Sequence, residues 1–184
     1  MEGKNIIPIL AIAVTLALIT SAVAMWSETL RLNVTVNTGE VKVAFSGWKC
    51  SDEGSDPQAQ GFDNSEGKDV AWCSVASEVL DSNGNVIKLN VTIGNAYPGY
   101  SPVISFNVTN IGTIPVKLYS SSITGLNSTA LNASLSIPQS TQLHPGDVGQ
   151  YALSITVLQS ADENAQYTFE VTLVFAQWNE VTTP

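Results

Sequence analysis

The hydrophobic positions divide the chain into two unlike parts. Residues 6–19 are almost wholly apolar. Beyond residue 30 a period of two takes over, the signature of half-buried β-strands. Leu30, Leu32, Val34 and Val36 alternate with Arg31, Asn33 and Thr35. The same alternation returns in Val41, Val43 and Phe45; in Ile87, Leu89, Val91 and Ile93; and in Ile104, Phe106 and Val108. It appears again in Leu131, Leu135 and Ile137, in Tyr151, Leu153, Ile155 and Val157, and over the longest row, Tyr167, Phe169, Val171, Leu173 and Phe175.

Turn signals separate the rows. Asn83-Gly84 is the strongest short hairpin signal. Pro98-Gly99 and Pro145-Gly146 mark tight turns between strands. Many short strands at such spacing predict an all-β domain, a two-sheet antiparallel sandwich of jelly-roll or immunoglobulin-like type. Residues 160–166 allow one helical turn in a connection. Residues 50–70 are irregular and rich in Gly, Asp and Ser, and read as an insertion.

The apolar N-terminal run changes where such a domain belongs. Lys4 supplies a weak positive start beside Glu2, and Ala22-Val23-Ala24 has the small-residue pattern of a cleavage site. Residues 1–24 therefore read as a secretory signal peptide, with cleavage between Ala24 and Met25. A retained membrane anchor is the competing reading, because residues 6–24 approach the ~20 that span a bilayer. Pro8, Thr15, Thr20 and Ser21 interrupt the run and favour the signal. The expected organisation is then residues 1–24 as signal, 25–37 as a terminal strand and 38–184 as the sandwich, with the membrane involved only through the signal segment. Cys50 and Cys73 lie in the exported part, and an even count there reads as a disulfide closing the insertion 50–73.

Composition narrows the partners. Only 12% of the 184 residues are charged, against about 25% in an average soluble protein. Ser (20), Thr (16) and Asn (14) replace charge as the polar component. With a net charge of −9 there is no basic patch to displace counterions from phosphate, which excludes a nucleic-acid partner. Six acids fall between Asp52 and Asp69. They could bind Ca²⁺ through oxygen ligands, but they lack EF-hand spacing, and a solvated acidic loop is the commoner case.

Five Asn-x-Ser/Thr sequons occur, at Asn33, Asn90, Asn107, Asn127 and Asn132. A glycan must face solvent, and neighbouring side chains of a strand face opposite ways. Asn33, Asn90, Asn107 and Asn132 each fall opposite an apolar row, with the Ser or Thr of the sequon on the same side. That placement suits an exported glycoprotein.

Catalytic patterns are missing from the sequence. The one histidine, His144, stands in a Pro-Gly turn, so no HExxH zinc motif is possible. Gly99-Tyr100-Ser101-Pro102-Val103 lacks the last glycine of a nucleophile elbow. No phosphate-binding or dinucleotide fingerprint is present. The chain is not expected to be an enzyme or to carry a cofactor.

The first amphipathic row has two possible fates. Residues 30–36 can fold back on residues 41–45 as a hairpin across Asn37-Thr38-Gly39. Alternatively they can add as a strand to another subunit, with main-chain bonds along an edge and alternate side chains in pockets. Such a contact is head to tail, and its repetition builds an open filament. Three segments resemble the archaeal bundling-pilus subunits, relatives of the TasA/camelysin family of biofilm-matrix fibre proteins. They are residues 26–45, 97–116 and 144–178, which include Thr38-Gly39-Glu40-Val41, Pro98-Gly99-Tyr100 and Asn110-Ile111-Gly112-Thr113-Ile114-Pro115-Val116. The resemblance covers roughly half of the exported chain. It implies a jelly-roll-like extracellular subunit that polymerises with identical subunits by donor-strand complementation, and filaments that contact neighbouring filaments in bundles for adhesion or biofilm. It also implies a donor strand at residues 26–36, with Leu30, Leu32, Val34 and Val36 as plugs. Camelysin is a metalloprotease, and this chain lacks the histidines that a zinc site would want. A monomeric immunoglobulin-like surface module is the other alternative.

Overall fold

A computed structural model describes residues 6–21, 28–52, 54–58 and 63–181. The chain divides into two units, residues 1–37 and 38–184. In the first unit, Ile6–Ser21 forms helix α1. Pro8 is tolerated because it stands in the first turn, where no intrahelical N–H bond is lost. The Thr15 hydroxyl bonds back to the Ala11 and Ile12 carbonyls at 3.0 and 2.9 Å. No described helix is long and apolar enough to cross a membrane. The expected cleavage junction Ala24/Met25 and Trp26 lie outside the described residues.

The second unit is built from nine strands: β1 Val43–Cys50, β2 Trp72–Leu80, β3 Val86–Gly94, β4 Val103–Asn110, β5 Val116–Thr124, β6 Leu131–Ser136, β7 Gln142–Leu143, β8 Val148–Val157 and β9 Glu170–Gln177. One antiparallel sheet has six strands in the order β2-β3-β1-β4-β8-β6, and a second has three in the order β7-β5-β9. The all-β two-sheet fold and the preceding helix agree with the periodicity.

The alternation predicts which side of each strand meets the core. Ile104, Phe106 and Val108 of β4 and Tyr151, Leu153, Ile155 and Val157 of β8 are all buried. Leu118 of β5 joins them, and Val171, Leu173 and Phe175 of β9 pack against the same cluster. Phe106 stacks on Tyr151 at 5.6 Å, and Phe45 and Phe175 meet these two rings edge-on.

The Asn-Gly turn forms as expected. Gly84 has φ 82°, a left-handed value that an L side chain rarely adopts. The Asp81 carboxylate accepts the Asn83 and Asn85 N–H groups, each at 2.8 Å. The disulfide joins Cys50 at the end of β1 to Cys73 in β2, with Cα atoms 6.0 Å apart. Inside it the described residues are irregular but held by side chains. Asp56, which is buried, accepts the Val70 and Ala71 N–H groups at 3.2 and 3.4 Å. Asn64 bonds the Asp56 and Lys68 carbonyls and accepts the Lys68 N–H. Residues 160–166 form turns rather than helix.

Candidate functional site

Residues 28–42 belong to no strand or helix. The apolar row they carry is therefore bare: Leu30 is 93% exposed, Leu32 88%, Val34 69% and Val36 77%. Each such side chain forgoes about 1.5–3 kcal/mol that full burial would contribute. Scattered exposed apolar residues are ordinary in folded proteins. A four-member alternating row is a different object, because its members would all point to one side of an extended strand.

The sandwich has a matching deficit. Inward-facing residues of β4 and β8 are buried, but those of the strands beyond β4 are only half-buried: Val43, Phe45 and Trp48 of β1, Val75 of β2, and Leu89, Val91 and Ile93 of β3. Val171, Leu173 and Phe175 of β9 are half-buried as well. Six strands are faced by three, so one sheet is only partly covered. Backbone pairing is incomplete in the same region. β1 pairs with β4 from Val43 to Cys50, but meets β3 at the single register Phe45–Val86. β9 is bonded to β5 on one side and forms an edge of its sheet on the other. Free edges of this kind present N–H and C=O groups to an incoming strand.

Three of the five sequons share one surface. Asn90 of β3, Asn107 of β4 and Asn132 of β6 all stand on the outer face of the six-stranded sheet, opposite the inward rows. Asn90 and Asn132 are exposed; Asn107 is half-buried and sits across from Gly47, which offers no side chain to crowd it. Asn127 is exposed in the β5–β6 turn, where its Oδ1 accepts the Thr129 N–H at 3.2 Å and hydroxyl at 2.6 Å. Asn33 is exposed beside the bare row.

The acidic loop makes protein contacts. Asp52 and Asp56 lie near the Tyr100 and Tyr97 hydroxyls, and the two rings touch at 5.6 Å. Burial, reinforced by Asp56, pushes the Tyr97 phenol up to about 12. Burial and Asp52 raise Tyr100 further. Asp52 Oδ1 and Tyr100 Oη are both buried, and neither makes a hydrogen bond of normal geometry. Among the described residues, no three Asp, Glu, His or Cys side chains come together as metal ligands. His144 is exposed, and its N–H caps a turn on Asp147 at 2.9 Å.

Sequence reasoning missed two participants. β2 supplies Val75, but bulges between Ser77 and Leu80 break its period. β5 carries Val116 and Leu118, then a run of three serines after a bulge at Tyr119 hides the alternation. Comparison with protein-family models, characterised proteins and solved structures finds no match for the chain.

Proposed function

We propose that the chain is the structural subunit of an extracellular filament, in which residues 26–36 of one copy complete the sandwich of the next. The single observation that carries this reading is the bare alternating row Leu30, Leu32, Val34 and Val36, belonging to no strand, in a chain whose own sandwich is half-covered. Strand addition meets both needs at once: it buries the row and covers the half-buried residues of β1, β3 and β9. The plugs are the four apolar side chains, and the partners are identical subunits in an open polymer. The resemblance to bundling-pilus subunits points the same way and adds lateral contacts between filaments, in adhesion or biofilm.

An exported location accords with the signal-like N-terminus and with the Cys50–Cys73 disulfide, since such bonds persist in oxidising compartments. Glycans at Asn90, Asn107 and Asn132 would cover the outer face of the large sheet and leave the half-buried inner surface free. The monomeric module is disfavoured because it would pair residues 30–36 within its own chain, and they belong to no strand. The metalloprotease reading would want several histidines, and the sequence holds His144 alone.

The test is negative-stain microscopy of the native protein beside a variant lacking residues 28–36. Fibres with a regular subunit repeat from the native chain, and none from the variant, are expected. Fibres that persist in the variant would overturn the proposal.

A further inference from the structure

The chain between the bare row and β1 is not a free linker. Residues 39–42 lie against the β4–β5 connection, which is the Asn110–Val116 run. The Lys42 carbonyl accepts two N–H groups, from Ile111 and Gly112, both at 3.0 Å. The Glu40 carbonyl accepts the Thr113 N–H at 3.0 Å, and the Glu40 N–H donates to Thr113 Oγ1 at 2.8 Å. Two glycines make this approach possible. A methyl group on Gly112 would overlap the Glu40 carbonyl oxygen and come within 2.8 Å of the Lys42 nitrogen. A methyl group on Gly39 would overlap Ile114 Cγ2. The backbone crossing at Gly112 is therefore closer than a side chain there would allow.

The connection is itself rigid. Asn110 is 1% exposed; its Oδ1 accepts the Gly112 N–H at 2.9 Å, and its Nδ2 donates to the Ile114 and Leu143 carbonyls, each at 2.9 Å. From the other side the Lys42 ammonium pairs with Asp81 in the β2–β3 turn at 2.8 Å. Residues 39–42 are thus held by two separate turns of the sandwich, whose compact unit begins at Thr38, one residue before the bracket.

We infer that Gly39, Gly112 and Thr113 are positioning residues: they form a bracket that fixes where the N-terminal segment leaves its own subunit, and so fix the rotation from one subunit to the next. This rests on the strand-donation reading. In a head-to-tail polymer the helical symmetry is set by one repeated operator. That operator has two ends, the seat of the strand in the receiving subunit and its root in the donating one. The plugs specify the first, and the bracket specifies the second. A loose root would let equally well-seated subunits take a range of rotations.

The experiment is helical reconstruction by cryo-electron microscopy of filaments from the full chain and from Gly112→Ala, Thr113→Val and Leu131→Ala. Amide exchange over residues 28–36 is measured on the same samples. Thr113→Val removes the hydroxyl that accepts the Glu40 N–H while keeping the side chain's shape. Leu131 is buried in β6, away from the bracket, and serves as the control for lost stability alone. The expected result is protected residues 28–36 in all filaments, with a shifted or broadened twist in Gly112→Ala and Thr113→Val. Leu131→Ala should melt lower but keep the native twist. If Gly112→Ala does not fold, Thr113→Val decides. A native, equally narrow twist in the bracket variants would overturn the inference and leave strand donation standing. Unprotected residues 28–36 in native filaments would overturn strand donation itself, and the inference with it.

Discussion

The row Ile104, Phe106 and Val108 and the row Leu30, Leu32, Val34 and Val36 are written in the same alternation, yet their surroundings are opposite. The first is 8% exposed or less at every position; the second is nowhere less than 69% exposed. The residues between them are alike too: Ser105, Asn107 and Thr109 against Arg31, Asn33 and Thr35, with a sequon in each. Composition and period therefore do not separate them. What separates them is the neighbour. β4 is bonded on both sides, by β1 and β8, and is covered by the second sheet. Residues 28–36 have no place in either sheet. Alternation specifies which side of a strand wants burial, while the partner that provides it comes from the topology. A second difference lies within the sandwich: the inward rows of β4 and β8, its closed half, are buried, and those of β1 and β3, its open half, are only half-buried.

Giving and receiving a strand can be separated in two variants. A Val91→Asp subunit keeps its bare row but should fail to receive one. A subunit lacking residues 28–36 should receive but fail to give. Mixed, they should stop at pairs, read as a single dimer mass by analytical ultracentrifugation, while the native chain forms fibres. Higher species from the mixture would place the receiving surface away from β3.

The closed half is tested next. Asn110→Ala ends the support of the β4–β5 connection and leaves the buried Leu143 carbonyl and the half-buried Ile114 carbonyl without their Asn110 donor. Each orphaned group costs about 1–3 kcal/mol, so denaturant unfolding should show a loss of about 4 kcal/mol. Smaller still is the effect of the disulfide. Changing Cys50 and Cys73 together to Ser should cost about 3 kcal/mol by the chain-entropy argument. Because the bridge ties β1 to β2, the loss should concentrate in the open half, with faster amide exchange in β2 and β3 than in β8.

The least of these effects is pH dependence. Burial raises the phenols of Tyr97, Tyr100 and Tyr151, Tyr97 to about 12. An ionisation disfavoured in the folded state contributes stability that is complete below the unfolded value near 10 and lost as pH rises through the folded one. Stability should hold to about pH 10 and fall between there and about pH 12, with tyrosinate absorbance appearing in step with unfolding. Absorbance that develops in the folded protein near pH 10 would contradict the burial of these rings.

The sequence was informative where local chemistry decides. β4, β8 and β9 are legible because their alternation is unbroken, and the hairpin turn because Asn83-Gly84 demands a left-handed backbone. The Cys50–Cys73 bond and the exposed outer-face residues Asn90 and Asn132 follow from the same reading, whereas Asn107, read the same way, is half-buried. β2 and β5 were hidden because a bulge shifts the period by one residue, which moves later side chains to the opposite face. The half-covered surface was not legible at all. It depends on six strands facing three, a count that no local pattern contains. The sequence also left two fates open for residues 30–36, since a row that seeks burial reads identically whether its partner is near or in another molecule.

Amide hydrogen exchange over residues 28–36 tests strand donation most directly, measured on the native assembly and on subunits separated from it. Strand donation requires that alternate amides of residues 30–36 exchange among the slowest in the assembly and at free-chain rates in the separated subunit. Fast exchange in both states would leave the row without a partner, and slow exchange in the separated subunit would mean that the chain completes its own sandwich; either contradicts strand donation.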